Sequence, residues 1–177
     1  MRRLMSFIAV VSAFWLSGCV SIPEGITPVS NFDKERYLGT WYEIARYDNR
    51  FERNLEAVTA TYLEREDGGV RVLNRGWNTK KERWDDIEGK AYFVGDSDVG
   101  ALKVSFFGPF YSAYNVFELD DGYEYALVTA SDRDYFWLLT REPQPSEARV
   151  ERLVAIAEAN GFDREQMLFI DQSRNID

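Results

Sequence analysis

The sequence predicts an all-β protein: an eight-stranded up-and-down antiparallel β-barrel, with one C-terminal α-helix packed outside it and a short final strand. Three observations carry that prediction. Apolar and polar residues alternate in short runs, separated by Gly- and Asp-rich turn signals at hairpin-like intervals. Aromatic residues make up 15% of the 177 residues, including 10 Tyr and 12 Phe, which suits strands and an apolar interior. One stretch near the C-terminus has a helical period instead.

Residues 39–47 alternate as the first strand and 57–64 as the second. Asp67-Gly68-Gly69 turns the second tightly into a strand at 70–77, as Asp-Gly pairs do in hairpins. Residues 78–86 read as a charged loop before a strand at 87–94, and Gly95-Asp96-Ser97-Asp98 turns into 101–107. Gly108-Pro109 breaks that strand ahead of 112–119. Asp120-Asp121-Gly122 turns into 123–130, and 131–134 lead into the eighth strand at 135–141. Eight strands is the count that closes a small barrel able to hold one ligand. Pro145-Ser146 then supplies an N-cap, and Val150, Leu153, Val154 and Ala157 fall at i, i+3, i+4, i+7. Gly161 is placed to end this helix in the left-handed conformation. Its one apolar stripe has to dock on the barrel's outside, and 167–170 make the final strand.

Gly39-Thr40-Trp41 opens the first strand, and Thr140-Arg141 closes the eighth. A Gly-x-Trp on an early strand with a distant Arg ending a late one resembles the lipocalin family. The longer run to Arg46, Phe51-Glu52-Arg53 and the stretch Ala101 to Phe110 resemble its bacterial outer-membrane lipoprotein branch. The resemblance covers the chain from about Phe32 onward. It implies a calyx whose bottom is plugged by the Trp41 indole, with the Arg141 guanidinium lying across it in a cation–π contact; Gly39, Trp41 and Arg141 are then the structural signature. The family's second motif, Thr-Asp-Tyr, is represented by Leu119-Asp120-Asp121, which keeps only the middle residue.

The N-terminus carries its own signals. Met1-Arg2-Arg3 is a charged start, and 4–16 is an apolar run too short to span a bilayer comfortably. Leu16-Ser17-Gly18-Cys19 resembles the bacterial lipoprotein box, in which the leader is cut before a cysteine that is then acylated. Cys19 is the chain's one cysteine, so it has no intramolecular disulfide partner. Several acyl chains, each CH₂ contributing ~0.8 kcal/mol when buried, exceed what stable anchoring requires. Val20 follows the cysteine where Asp would signal retention at the inner membrane, which implies the outer membrane, facing the periplasm. Expected domains are therefore a lipoprotein signal peptide at 1–18, a lipidated Cys19 and tether at 19–31, and the lipocalin domain at 32–177. Pro23, Gly25, Pro28 and the lack of periodicity carry the tether reading.

Residues alternate between lumen and exterior along each barrel strand. Trp41 fixes the phase of the first strand, which points Glu43 and Ala45 inward. If Arg141 reaches Trp41, Leu139 and Trp137 share its side. The family's phasing places Val58, Ala60 and Tyr62 inward, with Leu102, Val104 and Phe106, Tyr114 and Val116, and Ala126 and Val128. This lining is apolar with a few Tyr hydroxyls, the chemistry of a pocket for a long acyl chain. Glu43 reads either as a structural partner for an Arg or Tyr, or as a discriminator against anionic ligands deep in the cup. Loops at 48–56, 78–86, 108–112 and 131–134 surround the mouth. They carry Arg50, Arg53, Lys80, Lys81, Arg83 and Arg133 among several acids, to meet a head group or to form a solvated mixed-charge rim. Phe110 and Tyr111 suggest a portal, membrane contact or dimer contact.

Histidine is absent, which removes Ser-His-Asp and Cys-His nucleophile systems and Cys/His zinc sites. No metal and no cofactor is expected. Removing 1–18 takes away Arg2 and Arg3 and no acid, leaving 19 basic against 30 acidic residues and a net charge of −11. A nucleic-acid partner needs the opposite balance. The expected function is a lipid-anchored lipocalin that binds a fatty acid or lysophospholipid and stores, transports or scavenges it in the cell envelope, as a monomer or homodimer, without catalysing a reaction. The alternatives are a barrel enzyme of the isomerase or de-epoxidase type acting on an apolar substrate, and a structural lipoprotein with a filled barrel.

Overall fold

The computed structural model describes residues 20–176; the expected leader and Cys19 lie outside the described residues. Nine strands form one antiparallel sheet: β1 (Gly39–Tyr47), β2 (Leu55–Glu64), β3 (Val70–Asn78), β4 (Arg83–Phe93), β5 (Ala101–Phe107), β6 (Phe110–Leu119), β7 (Tyr125–Thr129), β8 (Phe136–Thr140) and β9 (Met167–Phe169). The first eight close into an up-and-down barrel because β1 pairs with both β8 and β2. The β1–β2 pairing spans only Gly39–Tyr42 against Thr59–Tyr62; beyond it β1 takes β9 as its neighbour, from Ala45 to Tyr47.

Among the described residues the α-helices are α1 (Lys34–Tyr37) and α2 (Glu147–Ala159). Ser146 caps α2 by accepting from the Arg149 backbone N–H at 3.3 Å, and Gly161 adopts φ +86° just past its end. The stripe of Leu153, Val154 and Ala157 is buried against Leu127, Phe136 and Leu138 on the barrel's outer wall. A second cluster, with Trp41, Tyr62, Val72, Leu102, Val116, Val128 and Leu139, fills the lower lumen. Each strand of the β6–β7–β8–β1 wall thus separates two apolar cores, so those strands are buried on both faces.

Three regions depart from the sequence reading. The charged stretch 78–86 is mostly strand: β4 starts at Arg83 and pairs with Asn78, leaving a turn at 79–82. Its charges do not interrupt the ladder because alternate ones lie on the water face, where Arg71 meets Glu88 at 2.7 Å and Arg75 stacks on Trp84. Residues 34–37, given no element from sequence, form α1, capped by Asp33. The segment 20–31, expected to be a tether, is bound along the barrel. Val29 donates to the Val116 carbonyl at 2.9 Å and accepts from Gly100 at 2.8 Å, and Ile26 is buried.

Candidate ligand-binding lumen

Strand direction separates a closed end, at the start of β1, from a mouth at its finish. The closed end is one device built from the three signature residues and α1. Trp41 is fully buried, and its indole Nε1 donates to the Tyr37 carbonyl at 2.8 Å. The Arg141 Cζ lies 3.9 Å from the centre of the indole ring. Its guanidinium also donates to the carbonyls of Thr40 (3.0 Å), Arg36 (2.8 Å), Leu38 (2.9 Å) and Tyr123 (3.2 Å). Gly39 has φ +97°, and a Cβ there would stand 3.1 Å from the same guanidinium, so the position requires glycine twice over. Asp120, the retained residue of the second motif, accepts from the backbone of Gly122, Glu124 and Tyr125 and so holds the neighbouring turn.

Above Trp41 the floor is polar at one point. The Tyr114 hydroxyl is 2.7 Å from those of both Tyr37 and Tyr62. Burial raises the pKa of all three phenols, so they remain neutral donors and acceptors. The walls are apolar, from Val58, Val116, Ala126, Val128 and Leu139. Ladder register adds two glycines to this face: a Cβ on Gly76 would meet Val58 Cγ2 at 3.2 Å, and one on Gly89 would meet the Phe106 ring at 2.7 Å. Higher up, Ala60, Val104, Phe106, Tyr114 and Trp137 are only partly buried, and Ile87, on their face by register, is 37% exposed. Side chains that point into a barrel and still meet solvent define an open cup.

Near the mouth the expected phase fails at one residue. A β-bulge between Glu43 and Ala45 changes the facing of β1, pairing Glu43 with Leu139 but Ala45 with Leu138 on the outer wall. Ala45 therefore belongs to the core under α2, a correction to its lumen assignment, and Arg46, opposite Trp137, takes the inward place. Arg46 and Glu43 pair at 2.5 Å, each side chain 4% exposed. Arg46 also donates to the carbonyls of Glu52 (2.7 Å) and Leu55 (3.2 Å), while its Nε is buried without a partner. The Glu52 carboxylate accepts from Trp137 Nε1 at 3.0 Å and from Asn49 Nδ2 at 2.5 Å. Burial first, and the adjacent Glu52 second, hold the Glu43 carboxyl well above the usual carboxylate range.

Of the expected lining, Glu43, Val58, Ala60, Tyr62, Val104, Phe106, Tyr114, Val116, Val128, Trp137 and Leu139 face the lumen, together with Leu102 and Ala126. Sequence reasoning missed Arg46, Glu52, Asn74 and Ile87. Asn74 shares the phase of Val70 and Val72 and buries an unpartnered Oδ1; extending the alternation of the third strand would have found it. Most basic residues of the mouth loops are engaged locally. Arg53 pairs with Asp48, and both Lys81 and Arg83 pair with Asp85. Arg133 lies against the α2 C-terminus, donating to the Asn160 carbonyl at 3.1 Å.

A family model described as a lipocalin-like domain matches residues 32–172. The chain is 52% identical over 174 residues to the outer membrane lipoprotein Blc of Citrobacter freundii, covering 97% of this chain and 98% of that one. It is 37% identical over 144 residues to temperature-induced lipocalin-1 of Arabidopsis thaliana, covering 76% of each. Among solved structures, insecticyanin from the tobacco hornworm Manduca sexta superposes with a TM-score of 0.68 at 18% identity, covering 88% of both chains. That last likeness speaks for the fold alone.

Proposed function

The chain belongs to the lipocalin family, and on that premise we propose that it is an outer-membrane lipoprotein, anchored through Cys19, whose barrel holds the acyl chain of a fatty acid or lysophospholipid. The carrying observation is the open, largely apolar cup above Trp41, whose inward side chains Ile87, Val104 and Phe106 remain partly exposed. Burying an acyl chain there gains ~0.8 kcal/mol per CH₂. The Leu16-Ser17-Gly18-Cys19 box and the names of the bacterial relatives support the anchor and the address. The role is storage, transport or scavenging in the envelope, with no reaction. Glu43, its carboxyl pushed toward the neutral form by burial and held by Arg46, serves as a structural partner in the network at the mouth rather than as a charge that selects the head group.

One observation favours an enzyme of the isomerase or de-epoxidase type: the carboxyls of Glu43 and Glu52 are neighbours in the lumen. Their oxygens, however, are engaged by Arg46, Trp137 and Asn49, which fits a structural network better than an acid–base pair.

Trp137 reports on the cup because its indole lies on the wall above Leu139. Lysophospholipid or long-chain fatty acid should shift its fluorescence saturably at micromolar concentration, roughly −8 kcal/mol or better. Trp137→Phe should remove most of that signal. Val104→Arg should abolish binding by calorimetry, since an unpaired guanidinium is not tolerated beside an acyl chain. Unchanged affinity in folded Val104→Arg protein would place the ligand outside the barrel.

A further inference from the structure

The segment 20–31 enters the fold at a particular place. Asn115, 2% exposed, donates through Nδ2 to the Ser21 carbonyl at 3.1 Å, and Ser21 Oγ donates to the Ser131 carbonyl at 3.4 Å. Ser131 belongs to the β7–β8 connection, one of the four that ring the mouth. Gly25 then packs beside Arg133 of the same connection, and Ile26 is 6% exposed. Only afterwards does the chain reach the closed end, where Phe32 donates to the Asp98 carbonyl at 2.8 Å. A free tether of a dozen residues would let the barrel take any orientation within roughly 20 Å of its anchor. This strap removes that freedom, because the described chain is held against the barrel from Ser21 onward, which leaves Val20 alone between that contact and the expected anchor.

Among the described residues three of the four exposed Phe rings are at the mouth; the fourth, Phe169, is 50% exposed on β9, beside Ala45 on the barrel's outer wall. Phe51 on the β1–β2 connection is 60% exposed, and Phe107 and Phe110, opposite each other across the β5–β6 turn, are 63% and 78% exposed. In the closed strand order these two connections stand on opposite sides of the opening. At the closed end the exposed apolar side chains are the aliphatic Leu63 and Val94. Charge is mixed at the rim: Arg50 stacks on Phe51 and Lys80 is exposed nearby, but Asp86, Asp132 and Asp134 are present too. Rings, not charge, are what this rim offers a bilayer.

We propose that the barrel sits mouth-down on the membrane that holds its anchor, with Phe51, Phe107 and Phe110 in the lipid interface, so that an acyl chain passes between bilayer and lumen without crossing open water. The inference rests on the anchored, acyl-binding reading above and adds an orientation to it. Because rings make the contact, it persists at high salt.

The test uses the lipidated full chain in vesicles of phosphatidylethanolamine and phosphatidylglycerol. Acylation occupies Cys19, so Phe110→Cys or Asp96→Cys supplies a unique thiol for an environment-sensitive fluorophore. Spin-labelled lipid should quench the Phe110→Cys label several-fold more than the Asp96→Cys label, at low and high salt alike. Adding Phe51→Ser and Phe107→Ser should reduce that difference. Equal quenching, or deeper quenching of Asp96→Cys, overturns the orientation, as does energy transfer between Phe110→Cys labels showing that a second copy covers the rim. Palmitate incorporation at Cys19 and lysophospholipid binding are measured on the same preparation. If both hold while the labels quench equally, the orientation alone fails; if palmitate is absent from Cys19, the anchor fails and takes the orientation with it.

Discussion

Two arginines on the barrel axis divide the molecule into unlike ends. At the closed end Arg141 donates to five backbone carbonyls, Thr40, Arg36, Tyr37, Leu38 and Tyr123, and covers an indole ring. At the mouth Arg46 is almost fully buried, shares a carboxylate and two carbonyls, and leaves Nε without a partner. The first cation organises neutral groups around it and stays near water. The second is desolvated against a carboxyl that burial pushes toward its neutral form, an arrangement whose desolvation cost offsets much of its attraction. Stability is concentrated at the bottom, and adjustable polarity at the top.

That contrast breaks most visibly at Trp41. Trp41→Ala should cost ~3–5 kcal/mol in urea denaturation, as deletion of a large fully buried ring does. A double-mutant cycle with Arg141→Met should return a coupling of about 1 kcal/mol. Additive effects would mean that the stacked pair contributes nothing beyond its separate members.

The next effect belongs to the mouth. Gln172 Nε2 donates to the carbonyls of Glu43 on β1 (2.7 Å) and Val58 on β2 (2.9 Å), joining strands that no longer pair directly at that height. Gln172→Ala leaves two buried carbonyls unsatisfied and should cost about 1–3 kcal/mol. Amide exchange should quicken at the mouth half of β1 and β2 while Trp41 and its neighbours stay protected. Uniform loosening of the whole barrel would erase the distinction between the ends.

The smallest effect concerns pH. The Glu43 carboxyl has a folded pKa raised by burial and by Glu52. Raised above its unfolded value, it is protonated in the fold where the unfolded chain is already ionised. Stability is then full below the ordinary carboxylate range and declines as pH rises through the folded value. Glu43→Gln should remove that decline, so that the variant gains on the parent as pH rises above the ordinary carboxylate range, read from urea denaturation across pH. Parallel profiles for the two proteins would show that Glu43 stays ionised throughout.

The closed end was legible in sequence and much of the mouth was not, for a physical reason. Trp41, Tyr62 and Leu139 sit on strands whose two-residue period runs unbroken there, and the Arg141 guanidinium lies against both Gly39 and the Trp41 ring. Ala45 was misplaced because a bulge inserts one residue, and Ile44-Ala45 are both apolar, so nothing in their chemistry marks the change of face. Helix α1 is too short for any period to register. The strap at 20–31 has a linker's composition, yet Val29 is held by its backbone N–H and C=O, which composition does not report.

The Gln172 bridge has a consequence in time as well as in space. Glu43 and Gln172 stand 129 positions apart, so a chain made from its N-terminus presents β1 long before the residue that ties it to β2 at the mouth exists. Contacts of such separation are assembled late and slowly. Translation must pass residue 172 before β1 and β2 are tied together at the mouth, so a nascent chain that stops short of it carries both strands without the side chain that joins them there.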